Sequence, residues 1–164
     1  MKISGSKTRT LNKDLSASDY KFAIILSRFN ESIGKRLLDG AIDCLKKHGC
    51  KDKNIDIINV PGAYEIPLAA DKAAEKKKYN SIICLGAVIK GETPHFEYIS
   101  SAVSSGVLQV GLKHGLPVIF GVLTTANLKQ AKERSGEKTG NKGWEAALAA
   151  IEMADLVANL KKSK

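Results

Sequence analysis

Four short apolar runs, separated by stretches of helical periodicity, constrain this chain more than any other feature. The runs are Lys21-Phe22-Ala23-Ile24-Ile25-Leu26-Ser27, Ile55 to Val60, Ser81 to Ile89 and Pro117 to Leu123. They are predominantly apolar rather than strictly alternating, although Asp56 and Asn59 interrupt the second, and this is the pattern of strands covered on both faces. Strand–helix alternation repeated four times predicts a parallel sheet with helices on both sides, joined by right-handed crossovers. The expected fold class is therefore α/β: a three-layer α/β/α sandwich on a four-stranded parallel sheet.

The intervening segments carry their own start and stop signals. From Glu31, apolar positions Ile33, Leu37, Leu38, Ala41, Ile42 and Leu45 recur at helical spacing, with Asn30 as N-cap and Gly49 as the stop. Ile66 to Lys78 is Ala-rich and closes in lysines. Thr93-Pro94 is expected to open a helix over His95 to Lys113, Thr93 as cap and Pro94 at the first helical position, with Gly115 ending it. Asn127 to Arg134 predicts a short helix. Gly143 to Leu160 predicts a long one with Trp144, Ala147, Leu148, Ile151, Ala154 and Val157 on one face.

A length of 164 residues fits one domain, read here as residues 21–164, preceded by a polar arm over residues 1–20. No apolar run approaches the ~20 residues of a membrane helix, and no apolar stretch of secretory type follows Met1-Lys2. No membrane partner is expected. Cys44, Cys50 and Cys84 are odd in number, lack a C-x-x-C pair and have no short Cys/His spacing for a metal. They read as free thiols in a reducing compartment, and the expected location is cytoplasmic. The net charge of +9 is spread over lysines that mostly close helices, where cations favour the negative end of the dipole. No aromatic-and-basic sheet signature accompanies them, so nucleic acid is not an expected partner.

In open parallel sheets ligands bind outside the carboxyl ends of the strands. The informative residues are therefore those just after each apolar run. Phe29 follows the first strand and offers a platform for a planar ligand, although such a residue is more often core. Tyr64 has the same two readings, and Glu65 either accepts from ligand hydroxyls or caps the next helix. Gly91-Glu92-Thr93-Pro94-His95 joins a strand end to a helix start. Its backbone N–H groups, the Thr93 hydroxyl and the helix dipole suit an anion, and equally Thr93-Pro94 is a plain cap. His95 stands at that rim with an imidazole, a group able to pass protons between substrate atoms, though a lone histidine is more often a surface residue. His48 and His114 each precede a glycine at a helix end and read as caps. Arg134 offers a planar fork for phosphate. Beyond it, Lys138-Thr139-Gly140-Asn141-Lys142-Gly143-Trp144-Glu145 is a cationic loop that lacks the G-x-x-x-x-G-K-[ST] pattern. It fits a helix–helix connection as well as a ligand loop.

Four ordered segments carry a resemblance that no single residue does. Pro61-Gly62-Ala63-Tyr64-Glu65-Ile66-Pro67, Gly86-Ala87-Val88-Ile89-Lys90-Gly91-Glu92-Thr93-Pro94-His95-Phe96, Phe120-Gly121-Val122-Leu123-Thr124-Thr125 and Gly140-Asn141-Lys142-Gly143-Trp144-Glu145-Ala146-Ala147 resemble the 6,7-dimethyl-8-ribityllumazine synthases. The likeness runs from about Phe22 to Leu156 without insertions. It implies a flavodoxin-like topology and a transferase that condenses 5-amino-6-(D-ribitylamino)uracil with 3,4-dihydroxy-2-butanone 4-phosphate. That reaction is the penultimate step of riboflavin biosynthesis and releases phosphate and water. By the resemblance, Phe29 stacks on the pyrimidine, Ala63, Tyr64 and Glu65 bind the ribityl chain and ring, and Ala87, Val88 and Ile89 hold the ring by backbone contacts. Glu92, through its backbone N–H, and Thr93 hold the phosphate with Arg134 opposite, and His95 is the proton donor and acceptor. Phe120 closes over the ring from a neighbouring subunit, and Lys142 and Glu145 support the site.

The resemblance further implies a homopentamer, sites between adjacent subunits, an icosahedral capsid of 60 subunits as a further assembly, and riboflavin synthase as a partner of such a shell. It implies no cofactor and no metal. Lys90 and Glu92 depart from the residues common in the family, and the Thr139 position varies there. A flavodoxin-type electron carrier would share the architecture, since fold does not fix function. It would need a Ser/Thr/Gly phosphate loop after the first strand, where Arg28-Phe29-Asn30 stands.

Overall fold

The computed structural model describes residue 11 and residues 15–136 and 140–162. Four parallel strands, β1 (Phe22–Ser27), β2 (Ile55–Val60), β3 (Ser81–Ile89) and β4 (Val118–Thr125), form one sheet in the order β2-β1-β3-β4. Five helices alternate with them: α1 (Glu31–Lys47), α2 (Ile66–Glu75), α3 (His95–His114), α4 (Leu128–Arg134) and α5 (Lys142–Lys162). This is the α/β sandwich the apolar runs predict. Inner-strand side chains point alternately to two cores. Ile24, Ile83 and Leu85 pack with Leu37 of α1 and Ala147 and Ile151 of α5. Ile25, Ile82 and Cys84 face the other way, against Ala70 of α2 and Val103 and Val107 of α3.

Three local expectations are revised. β2 lies at the sheet edge and is only half covered, Ile57 being 44% exposed, so an apolar run did not mean burial on both faces there. α2 stops at Glu75, before the lysines; Lys77 turns the chain with φ 53°, which ends the helical path. Thr93 does not cap α3. Pro94, with φ −68° and ψ 0°, already takes the helical turn, and its carbonyl accepts the Glu97 N–H at 3.0 Å.

Neither of the two remaining histidines is a bystander. His48 ends α1 with its Nδ1 2.7 Å from the Cys44 carbonyl. His114 does not cap α3 but reaches Asp71 of α2 at 2.7 Å, beside Lys113 at 2.9 Å, and these two partners hold the Asp71 carboxyl at about 2, below the usual carboxylate range. All three cysteines are free and buried. Burial pushes the Cys44 thiol up to about 11 and the Cys84 thiol up to about 12, the opposite of an activated nucleophile.

Of the expected N-terminal arm, residues 1–10 and 12–14 lie outside the described residues. Its described part is docked: the Asn159 amide donates to the Leu11 carbonyl at 2.6 Å, the Tyr20 hydroxyl to Asp155 at 3.2 Å, and the Ala17 N–H to the His48 carbonyl at 2.8 Å. No described helix is long and apolar enough to cross a membrane.

Candidate active site

The carboxyl ends of β1, β2 and β3 and the first turn of α3 enclose an open hollow of ≈ 620 Å³, within the size range of small-molecule sites. Its walls come from four places in the sequence. Phe29 leans in from the β1–α1 turn and is 71% exposed, so its ring is offered rather than packed. Ala63, Tyr64 and Glu65 come from the single helical turn after β2, where Tyr64 is 61% exposed. Ala87, Val88 and Ile89 bring the last residues of β3, and Thr93 and His95 stand at the opening of α3. Large exposed aromatics around one concavity mark a binding surface rather than a core.

The turn that presents Phe29 is held from both sides. The N–H groups of Arg28 and Phe29 donate to the carbonyls of Val60 and Pro61, at 2.9 and 3.2 Å. Asn30 begins α1 in the left-handed region (φ 60°, ψ 47°), and its carbonyl accepts from Ile33 and Gly34. Its side chain makes no cap. Asn30, Gly62, Phe96 and Ile99 also line the hollow without having been singled out as site residues, as does Gly91 of the expected anion segment. Asn30 was hidden because its local signal is that of a helix cap.

A second hollow, of ≈ 370 Å³, opens on the outer side of β4. Phe120, Arg134, Lys142 and Glu145 line it, and it shares no lining residue with the first. Phe120 is 42% exposed. Lys142 and Glu145 pair at 2.6 Å on the first turn of α5. One buried amide sets this corner: the Asn141 Nδ2 donates to the carbonyls of Arg36, Ser135 and Gly136, and its Oδ1 accepts from the N–H groups of Gly143 and Trp144. The first half of α1, the end of α4 and the start of α5 are thereby tied together, and Arg134 sits on the last turn of α4. Of the expected cationic loop, residues 137–139 lie outside the described residues.

The expected residues thus fall into two groups on one chain. The groups suited to a planar ring, its hydroxylated tail and a proton transfer share the first hollow, and the guanidinium stands in the second with Phe120. Glu92 is exposed and lines neither, although its neighbours Gly91 and Thr93 line the first. Among the described residues, no group of three His, Cys, Asp or Glu could hold a metal ion.

A protein-family model described as 6,7-dimethyl-8-ribityllumazine synthase matches residues 19–158. Two curated relatives named 6,7-dimethyl-8-ribityllumazine synthase, from two strains of Clostridium kluyveri, are each 57% identical over 147 residues, covering 90% of this chain and 96% of theirs. A match over so much of both chains, on a fold of the expected order with an open hollow at its strand ends, leads to one statement: this chain belongs to the 6,7-dimethyl-8-ribityllumazine synthase family.

Proposed function

We propose that this protein condenses 5-amino-6-(D-ribitylamino)uracil with 3,4-dihydroxy-2-butanone 4-phosphate to give 6,7-dimethyl-8-ribityllumazine, releasing phosphate and water, in the penultimate step of riboflavin biosynthesis. The observation that carries this reading is the single hollow lined together by an exposed aromatic ring, three residues at the end of β3 and an imidazole. Phe29 stacks on the pyrimidine, and Ala87, Val88 and Ile89 read its edge through their backbone. Ala63, Tyr64 and Glu65 take the ribityl side.

The chemistry matches this inventory. The primary amine on the uracil attacks the ketone and water leaves, giving an imine. Loss of phosphate yields an enol, which rearranges to a carbonyl; the ribityl-bearing nitrogen then attacks it and a second water leaves. Each step moves a proton or expels an anion, and the nucleophile is already on the substrate. His95 carries the protons. Thr93, the Glu92 backbone N–H and the opening of α3 receive the phosphate, with Arg134 opposite and Lys142 and Glu145 in support. Holding two reactants together supplies most of the acceleration, since effective molarity is worth roughly 7–11 kcal/mol.

Phe120 and Arg134 lie in a hollow of their own, which supports a site completed between copies. The second hollow of one copy closes the first hollow of the next, in a homopentamer that a 60-subunit icosahedral capsid extends, with riboflavin synthase as the partner inside it. Work takes place in the cytoplasm. Light scattering should return at least five times the 17.6 kDa chain mass, and a monomer that forms lumazine at full rate would end the intersubunit reading.

The direct test is an absorbance assay for lumazine formation from the two substrates with the purified chain. Arg134→Ala separates the roles further. It should raise the KM for the phosphate substrate by about 10–100-fold, the loss of a charge-assisted hydrogen-bonded pair, and leave the Kd of the pyrimidine within about twofold. Equal weakening of both ligands would refute the assignment.

A further inference from the structure

Asn30 lines the first hollow between Phe29 and the end of β3; its carbonyl starts α1, but its side chain makes no bond to that helix. It is one of two non-glycine residues with positive φ among the described residues. Asn is among the few side chains that tolerate this region. An Asn before a helix ordinarily turns its side chain onto that helix's first N–H groups, yet here it makes no such bond. Instead its Nδ2 donates to the Ala87 carbonyl at 2.8 Å, across 57 residues of sequence.

The sheet shows why Ala87 needs a donor there. The β1–β3 ladder ends at the pair Leu26 and Leu85. Two residues further along β3, no β1 residue pairs with Ala87, because the chain after Ser27 has turned toward β2, where Arg28 and Phe29 donate to Val60 and Pro61. The Asn30 amide therefore adds a side-chain rung beyond the last backbone rung. On one side it is covalently joined to Phe29, the aromatic shelf. On the other it grips Ala87, the first of the three β3 residues that line the hollow. That bond ties the turn carrying the shelf directly to the strand end, while the Arg28 and Phe29 N–H bonds tie the same turn to β2.

Resting on the function proposed above, we infer that Asn30 is a positioning residue for the pyrimidine: it acts through Phe29 and the β3 backbone by fixing the gap a planar ring must enter. Gly suits the left-handed conformation without any side chain, so Asn30→Gly removes the rung and leaves the turn allowed. Asn30→Asp keeps size and backbone preference but sets an acceptor against the Ala87 carbonyl.

The test is a double-mutant cycle with Phe29→Ala, read by titrating the pyrimidine substrate and, separately, inorganic phosphate. Phe29 is exposed, so its removal opens no core. Asn30→Gly alone should weaken pyrimidine binding about tenfold, the scale of one lost hydrogen bond. Phosphate affinity should stay within about twofold. Asn30→Asp should lose at least as much as Asn30→Gly. In the Phe29→Ala background, Asn30→Gly should weaken binding by less than about threefold, because a rung that works through the shelf has little left to position. Additive losses, a parallel fall in phosphate affinity, or unchanged binding in Asn30→Gly would each overturn the inference. These outcomes differ from failure of the functional reading, in which the unaltered protein forms no lumazine at all.

Discussion

His95→Ala lowers kcat by about 10²–10⁴-fold, the range for removing one acid–base group, and lumazine still forms measurably. The residue opens α3 at the rim of the first hollow and is exposed there. The reaction's protons also exchange with water, so no step depends wholly on one imidazole. On the proposed roles, the variant keeps the alignment of two reactants by Phe29, the β3 backbone and the phosphate-binding groups, an effect of the larger size. Affinity for the pyrimidine should be little changed. Steady-state rates over a range of both substrates measure this directly. Abolished turnover with intact binding, or a loss under about tenfold, would contradict the division between positioning and proton transfer.

Gly143→Ala is expected to be the most damaging of the Gly→Ala changes among the described residues. Gly143 is buried on the first turn of α5, and an added Cβ there would run into the carbonyl oxygen of Leu37, with the Leu37 Cα only 2.8 Å away. The obstacle is the backbone of α1, which no rotamer change relieves. A loss of about 3 kcal/mol, at the upper end of ordinary overpacking, should lower the Tm by roughly 10 °C for a chain of this size. Gly136→Ala is the matched control. Its nearest neighbour, the Glu133 carbonyl, lies at 3.4 Å, an ordinary contact, and its unfolding midpoint should barely move. Calorimetry of the two variants decides between local collision and a general intolerance of this corner.

The architecture was legible because parallel strands buried between helices require continuous runs of apolar residues, a pattern that few arrangements besides a covered sheet produce at this length. β1, β3 and β4 fall within or almost on the runs marked in the sequence. The limits of that signal are visible in β2, whose Ile57 is apolar yet exposed at the sheet edge; hydropathy records what a strand tolerates, not which neighbours it has. Helix ends were less legible. Thr93 and Asn30 both have the chemistry of a cap and neither side chain caps its helix, because a cap competes with whatever the fold brings near, and for Asn30 that is a carbonyl on β3. The rule that sites gather at the carboxyl ends of strands directed attention to Phe29, Tyr64 and His95, which line one hollow. It could not assign Phe120 and Arg134 to a different hollow, since that division follows from the lateral order of strands and from how α4 and α5 pack on β4. Asn141 had no signal of its own: its worth lies in five bonds to backbone groups that only the folded chain assembles.

That amide has a consequence for ionic strength. The pairs between charged side chains are largely exposed, as in Lys35 with Asp39 or Lys72 with Glu75, and added electrolyte screens such pairs. Asn141 is 5% exposed and carries no charge. The corner that presents the guanidinium is therefore held by dipoles that electrolyte does not weaken, while the attraction for a dianion that the proposed role gives Arg134 is open to screening. Brine should loosen the protein's grip on one substrate long before it disturbs the frame that aims the grip.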